Sequence, residues 1–148
     1  MKSYRTLRGF LAGQEAEEES YFAHSASLRI SGDDLDFDEI SQSLRRLPTR
    51  SHRKGERSGP RSPEYAHDMW SYSPPVPEDR PLAEHIDALW ADIRHAKDYL
   101  RSLKKTAKVD VFLGFRSNRA TAGIEVPHTC VQMFVELEIP FGVSIIIT

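Results

Sequence analysis

The sequence predicts an α+β fold, a two-layer sandwich in which one long and two short helices cover a mostly antiparallel sheet of about five strands. Three observations predict it. Two well-separated segments alternate apolar and polar residues, which is typical of strands with one buried face. Residues 81–105 carry apolar side chains at steps of three and four, which is typical of a helix packed along one side. The remaining segments give the order strand, helix, strand, long helix, two strands, helix, strand.

The chain has 148 residues, of which 39% are hydrophobic, enough for one ordinary domain. We assign residues 21–148 to that domain. Residues 1–20 end in an acidic run without periodicity and are predicted to form a mobile or loosely packed arm. The net charge of −2 excludes a globally basic nucleic-acid protein, and a single cysteine excludes an internal disulfide framework. Because neither a membrane-length apolar run nor a signal peptide is visible, we expect a cytoplasmic protein.

The first strand is predicted over residues 21–31 and the first helix soon after it. The apolar side of this strand carries Phe22, His24, Ala26, Leu28 and Ile30. A turn at Gly32-Asp33-Asp34 follows. Asp36 and Glu39 then have the spacing of a capping box, which predicts a short helix that ends before Pro48.

Residues 48–80 form a proline-rich basic loop. Seven of the nine prolines lie between residues 48 and 81, and each removes a backbone donor, so long regular structure is not expected here. The exception is residues 68–72, predicted as a short strand with Trp70 as its buried anchor. Pro81 suits the first position of the long helix. The apolar stripe of that helix consists of Leu82, Ile86, Leu89, Trp90, Ile93, Ala96, Leu100 and Leu103.

Three strands and a helix are predicted after residue 105. Residues 109–116 alternate strongly, and residues 124–126 are predicted to pair back as a short strand. Pro127 opens a third helix whose inward side is predicted to carry Cys130, Val131, Phe134, Val135 and Leu137. Residues 141–147 form a nearly continuous β-branched run, which favours a strand buried on both faces or at the centre of the sheet.

The basic segment at residues 45–61, which overlaps the start of the loop, is the sharpest local feature. Its members are Arg45, Arg46, Arg50, His52, Arg53, Lys54, Arg57 and Arg61. Guanidinium groups and a lysine can hold a phosphate or a carboxylate. The predicted ligand-binding residues are Thr49, His52, Arg53, Lys54, Trp70 and Arg116. Arg116 belongs to a second loop and completes an anion cradle only if that loop folds beside residues 49–57.

Two other interpretations of the basic segment stay open. It is either a solvated loop or one side of an internal charge separation, since residues 15–39 hold nine acids and one arginine while residues 45–61 hold seven Lys or Arg and one Glu. That separation would act within one chain or between two copies. Nucleic-acid binding is disfavoured because no aromatic residue lies between residues 38 and 64 to stack on bases.

The histidines and acids do not form a metal-binding or catalytic set. The six histidines lack ligand spacing, so we predict neither a metal nor a cofactor. His24 is interpreted as a core histidine with one hydrogen-bond partner, or as an acid or base if it lies at the mouth of a pocket. Asp33 and Asp34 are interpreted as turn residues, and Cys130 as a small buried hydrophobe. No catalytic residue is predicted.

Several short motifs resemble a known family. They are SLRISGDDL at residues 27–35, Leu47-Pro48-Thr49 with His52 and Lys54-Gly55-Glu56, and Trp70 ahead of a long amphipathic helix. Over residues 20–148 they resemble the bacterial family of domains of unknown function numbered 4279. The resemblance implies a small intracellular bacterial domain with an α/β sandwich fold and implies no activity or catalytic residue. Placement of such domains beside toxin genes would imply an immunity or interaction role.

Our leading hypothesis from the sequence is therefore a non-enzymatic protein-interaction protein with an immunity or regulatory role. It would bind a protein partner or self-associate through a sheet edge or the long helix. The alternative is a binder, or a hydrolase, of a phosphate-containing or other anionic small molecule at residues 49–57. RNA binding through the basic loop is a third hypothesis, which predicts an affinity that falls steeply with salt.

Overall fold

The computed structural model describes residues 19–120 and 123–148, which form a mixed α+β fold with one five-stranded sheet. The strands have the spatial order β2-β3-β1-β4-β5, where β4 and β5 are parallel and the other neighbours are antiparallel. This confirms the predicted fold class. The strands are β1 Phe22–Gly32, β2 Arg50–His52, β3 Asp68–Tyr72, β4 Lys108–Ser117 and β5 Phe141–Ile147. The α-helices are α1 Phe37–Leu44, α2 Leu82–Ile93, α3 Lys97–Leu103 and α4 Gln132–Leu137.

One face of the sheet is covered by the helices and forms the core. The alternation in β1 directs Ala26, Leu28 and Ile30 to this face, where they are at most 1% exposed. Leu28 pairs with Val111 of β4 and with Tyr72 of β3, so the central three strands contribute to the same apolar layer. Burial of these side chains supplies the main favourable free energy of the fold.

The long helical segment lies across this layer. It consists of α2 and α3, separated by a 3₁₀ turn at Arg94–Ala96. The predicted stripe is confirmed where it is buried, since Leu89, Ile93 and Leu100 are fully covered. Trp90 and Leu103 are partly buried at the margins of the stripe.

Helix α1 begins and ends at the predicted positions. The carboxylate of Asp36, its N-cap, accepts a hydrogen bond of 3.0 Å from the amide of Glu39. Arg45 ends the helix in the left-handed region, with φ of 53°. Trp70 is fully buried as predicted, and its indole N–H donates to Ser41 Oγ of α1 at 3.1 Å.

One predicted strand is wrong, and the predicted third helix is present but with one inward residue assigned wrongly. Residues 124–126 are not a strand, and they lie ahead of α4 in the connection that a parallel β4–β5 pair requires. The fifth strand is instead β2, which pairs with the outer edge of β3. In α4, Val135 is 70% exposed rather than inward, and Met133 is buried in its place. The 3₁₀ turn at His128–Cys130 changes the helical phase ahead of α4.

The prediction for β5 is also wrong, because this strand lies at the edge of the sheet and not at its centre. The crossover through α4 places β5 beside β4, whose other neighbour is already β1. The only position left for β5 is the outer one. Its apolar run matches the composition of a parallel strand, yet the strand has a single neighbour.

The predicted arm, residues 1–20, lies outside the described residues except for Glu19 and Ser20. Within the described part of the chain, no helix is long and apolar enough to cross a membrane.

Candidate functional site

The face of the sheet opposite the helices carries polar side chains and is called the open face below. Pairing places Ser27 opposite Phe112 and Arg29 opposite Asp110 on this face. The open face consists of Ser25, Ser27, Arg29, Arg50, His52, Met69, Ser71, Asp110, Phe112, Gly114, Arg116, Ser144 and Ile146, with their strand neighbours. Hydroxyl and guanidinium groups therefore dominate a surface that no helix covers in the described structure.

Two adjoining cavities lie at the open face. The larger has a volume of about 680 Å³ and extends between β1 and the segment 73–78. The smaller has a volume of about 310 Å³ and lies over β1, β4 and β5. Both are lined by His24, Ser25, Arg50, Glu78 and Phe112, so they form one continuous depression.

The proline-rich segment 73–78 explains the larger cavity. β3 pairs with β1 only as far as Leu28, and the chain then continues as Ser73-Pro74-Pro75-Val76-Pro77-Glu78. Proline has no amide hydrogen, so this segment cannot continue the ladder along β1. It contacts β1 at two points, a hydroxyl pair between Ser27 and Ser73 at 2.6 Å and a bond of 2.8 Å from the His24 amide to the Glu78 carbonyl. A gap remains between those points.

Glycine keeps the floor of the smaller cavity low. A Cβ at Gly114 would collide with the hydroxyl of Ser25 on the neighbouring strand. Glycine inside a strand is typical of a place where another group approaches the backbone closely. Here the approaching group is the Ser25 side chain of β1, whose hydroxyl occupies the space that a Cβ at residue 114 would need.

The arginines of the open face differ in how far they are neutralised. Arg29 donates two hydrogen bonds of 3.0 and 2.9 Å to Asp110 and lies over the Phe112 ring, 4.4 Å from its centre. Arg116 makes one long contact of 3.5 Å with Glu78. Arg50 forms no ion pair with any described residue. Among the described residues of this face, Arg50 and Arg116 are therefore the arginines whose charge is least neutralised by a carboxylate.

Three of the six predicted ligand-binding residues line the depression. Thr49 and His52 lie in the wall of the larger cavity, and Arg116 lies in the wall of the smaller one. The Thr49 hydroxyl accepts a bond of 2.9 Å from the Ser73 amide, which joins the start of β2 to the proline segment. The His52 ring stacks on Tyr65 with 3.5 Å between centroids. Ligand binding by these residues stays a prediction.

The other three predicted residues point elsewhere. Arg53 donates to the Leu35 carbonyl at 2.6 Å and to Asp68 at 3.0 Å, so its guanidinium joins loops. The Lys54 amide donates to the same carboxylate at 2.8 Å. Trp70 lies on the helix side of the sheet, where it cannot reach the open face. The structure thus places half of the set at one depression and the other half in the framework.

The acidic partners of the basic segment are not those expected from the sequence. Arg46 pairs with Asp92, Arg53 with Asp68 and Arg57 with Glu64. Among the described ion pairs, none joins residues 45–61 to an acid of residues 19–39. The ion pairs of the basic segment therefore use acids that lie later in the chain, although the hydrogen bond with His67 and, after it, the charge of Lys54 lower the pKa of Asp33.

Sequence reasoning missed His85 and Glu78 in the cavity wall. His85 lies on the buried side of α2 between Leu82 and Leu89, and it is only 2% exposed. A polar residue at a core position of a helical stripe is the sequence signal that could have identified it. His24 was expected to have one hydrogen-bond partner for its side chain. Its Nδ1 atom, like Nε2 of His85, has none among the described residues.

Cys130 is buried as predicted. Its Sγ lies 3.4 Å from Asp87 Oδ1, and burial together with that carboxylate raises the pKa of the thiol. The thiol is therefore protonated near neutral pH, which disfavours a nucleophilic role. In residues 19–120 and 123–148, no group of three or more His, Cys, Asp and Glu side chains could hold a metal ion.

The outer edge of β5 is a second candidate surface. The Pro140 carbonyl and the Thr148 amide both bond to β4, so the even-numbered residues direct their backbone groups inward. Backbone direction alternates along a strand, and Phe141, Val143, Ile145 and Ile147 therefore present theirs to the free edge. The side chains of the same four residues are 45 to 57% exposed. Within residues 19–120 and 123–148, exposed apolar side chains and backbone groups without a strand partner thus occur together at this edge.

Comparison with known proteins identifies a family and nothing more specific. No curated protein and no solved structure is similar enough to this chain to be matched. The model of one family, described as a domain of unknown function (DUF4279), matches residues 20–148. Because that match covers nearly the whole chain, the protein belongs to the DUF4279 family.

Proposed function

We propose that this protein is a non-enzymatic protein-interaction module that self-associates through the edge strand β5. The observation that supports this most directly is the concentration of exposed apolar side chains there. Five of the nine large hydrophobic residues exposed in the described structure lie in this one strand. Edge strands of monomeric proteins are usually short or charged, and an exposed apolar edge favours pairing with another strand.

The other surfaces named from the sequence are less suited to self-association. None of the exposed large hydrophobic residues in the described structure belongs to the long helical segment 82–103. At the opposite edge of the sheet, β2 has only three residues and carries Arg50, which protects it against strand addition. The interaction is therefore assigned to β5.

A second copy of the chain fits this edge. With the two β5 strands antiparallel and Ser144 on the two-fold axis, Val143 lies opposite Ile145 and Phe141 opposite Ile147 of the other copy. These residues present free backbone groups, so each pair exchanges two hydrogen bonds. No charged residue occurs between Phe141 and Ile147 to oppose the contact. A symmetric, self-complementary pairing of this kind closes after two copies.

Sedimentation equilibrium from about 1 to 100 µM tests the proposal. The wild type is expected to be a dimer. Ile145→Lys places a charge at the edge and is expected to give a monomer with an unchanged circular dichroism spectrum. Val135→Lys, which charges an equally exposed apolar position of α4, is the matched control and is expected to remain dimeric.

A wild type that stays monomeric over this range contradicts self-association. The edge would then be assigned to a different protein, as an immunity role would require. A dimer that survives Ile145→Lys contradicts the assignment to β5.

A further inference from the structure

The larger cavity passes beside β1 and reaches a side chain of the core. Its wall includes open-face residues such as Ser25 and Ser27, and it also includes Ala26 and His85 from the helix side. A cavity can reach both sides of the sheet only where the ladder is interrupted. That interruption is the gap between β1 and the proline segment 73–78.

The inner end of this cavity contains buried polar atoms without partners. His85 is 2% exposed, and its Nε2 atom has no hydrogen-bond partner in the described structure. The Nδ1 atom of His24, in the wall of the same cavity, also lacks one. An unpaired buried polar group is costly, and most such groups are satisfied by water or by a ligand. Two of them in one cavity wall indicate a place built for a polar group.

The protonation state of His85 indicates which kind of polar ligand group fits beside its ring. The pKa of His85 is lowered, mainly because the ring is buried. The nearby His24 ring lowers it further, whereas hydrogen bonding to the backbone of Arg80 and Pro77 partly offsets the effect. The ring is therefore neutral near pH 7 and carries one N–H and one acceptor nitrogen. A hydroxyl group can donate or accept, so it satisfies Nε2 in either tautomer.

The outer end of the depression is cationic. Arg50 and Arg116 line the smaller cavity together with Glu78, the one acidic side chain among the described residues of its wall. Glu78 is 72% exposed at its side chain and contacts Arg116 at 3.5 Å, a weak surface pair that an anion can replace. Arginine forks bind phosphate through paired hydrogen bonds. Serine hydroxyls at residues 25, 27 and 144 line the same depression as the arginines and the histidines.

We propose that the open face binds a phosphorylated polyhydroxyl compound of the sugar phosphate class. Its phosphate lies between Arg50 and Arg116, and its hydroxyl groups reach the unpaired nitrogens of His24 and His85. The combined cavities, of about 680 and 310 Å³, have the size expected of a small-molecule site. This site lies on the sheet face and is separate from the self-association edge. It differs from the loop site predicted from the sequence, because Arg53, Lys54 and Trp70 take no part in it.

Isothermal titration calorimetry with ribose 5-phosphate and glucose 6-phosphate tests the site. The wild-type protein is expected to bind at least one of the two with Kd below about 1 mM. Inorganic phosphate and ribose, each of which satisfies only one end, are expected to bind at least about tenfold more weakly.

Variants at the two ends of the depression separate the contribution of the arginines to binding from that of His85. The double variant Arg50→Gln, Arg116→Gln and the single variant His85→Leu are each expected to weaken binding at least about tenfold. Arg61→Gln removes an exposed arginine of the same basic loop that does not line the depression, and it is expected to bind as the wild type does. His85→Leu removes an unpaired buried nitrogen, but it also removes the hydrogen bonding of the ring to the backbone of Arg80 and Pro77, so its circular dichroism spectrum and melting temperature are compared with those of the wild type to confirm that it folds.

Three results would overturn the proposal. The first is no measurable binding of either sugar phosphate up to about 10 mM. The second is unchanged binding in the double arginine variant, whose exposed substitutions leave the core intact. The third is inorganic phosphate binding as tightly as the sugar phosphates, which would remove the role of the histidines.

Discussion

At the scale of single residues, the carboxylate of Asp68 joins three parts of the framework. It is 5% exposed and accepts hydrogen bonds from the amides of Leu35 and Lys54 and from the Arg53 guanidinium. The Lys54 amide is the main cause of its lowered pKa, with Leu35 and Arg53 adding to the effect against burial. The backbone of the basic loop is thus held in place at Lys54, because its amide donates to a buried carboxylate.

This geometry predicts how stability depends on pH. The pKa of Asp68 in the folded protein lies below the usual value of 3.8, so the stabilisation is complete above that value. It is lost as the pH falls from 3.8 through the lower folded pKa. Urea unfolding at pH 7 and at about pH 3 is expected to show a smaller loss of stability for Asp68→Asn than for the wild type.

The matched control for Asp68 is Asp79→Asn, an exposed acid at which the same substitution is expected to leave the pH dependence unchanged. A wild-type loss of stability that persists fully in Asp68→Asn would contradict the role given to this carboxylate.

At the scale of elements, the N-cap of α1 is a prediction from sequence that the structure confirms, because the Asp36 carboxylate accepts a hydrogen bond from the Glu39 amide; the reciprocal bond of a capping box is not among the described hydrogen bonds. Asp36→Ala removes the bond to the Glu39 amide and is expected to lower the free energy of unfolding by about 1 kcal/mol. Gln42→Ala, on the exposed side of the same helix, is expected to cause no loss because alanine favours helix. Denaturant titration measures both. Equal stability of the Asp36 variant and the wild type would contradict the capping role.

Elements whose residues carry their own local signal could be predicted from the sequence. β1, β4 and the long helical segment have strong periodicity, and α1 has a capping box as well. β2 has only three residues and no pattern of its own, because it forms by pairing with the edge of β3. The apolar run of β5 indicates a parallel strand, yet it does not tell how many neighbours that strand has.

The candidate site could be predicted only in part, because its residues are brought together by the order of the strands and not by a local pattern. Arg116 and residues 49–52 are distant in sequence, and only the sheet order β2-β3-β1-β4-β5 decides that they share a face. The chemistry of their side chains alone predicts Trp70 and Arg53 as ligand-binding residues. Side chains alternate between the two faces along β3, and Trp70 lies on the face that packs against the helices. Arg53 is bound instead by the buried carboxylate of Asp68. His85 is separated from His24 by 61 positions, so no local pattern joins the two.

At the scale of the whole molecule, the described residues form one sheet with a face covered by helices, an open face and an apolar outer edge at β5. Pairing of two β5 strands about Ser144 would join two five-stranded sheets into one. The two-fold axis of an antiparallel pair is perpendicular to the sheet, so both open faces would lie on the same side. The dimer would therefore leave both depressions accessible while covering the exposed apolar edges.

Disulfide trapping of Ser144→Cys tests this arrangement most directly. Ser144 directs its backbone groups to β4, so on the two-fold axis it forms a non-hydrogen-bonded pair with Cα atoms about 4.5 Å apart, within the range of a disulfide. The native thiol, Cys130, is 3% exposed and does not compete. Mild oxidation is expected to convert Ser144→Cys to a covalent dimer on a non-reducing gel, whereas Ser58→Cys, in the exposed loop, is expected to stay monomeric. A Ser144→Cys protein that cross-links no more than Ser58→Cys would contradict pairing through β5.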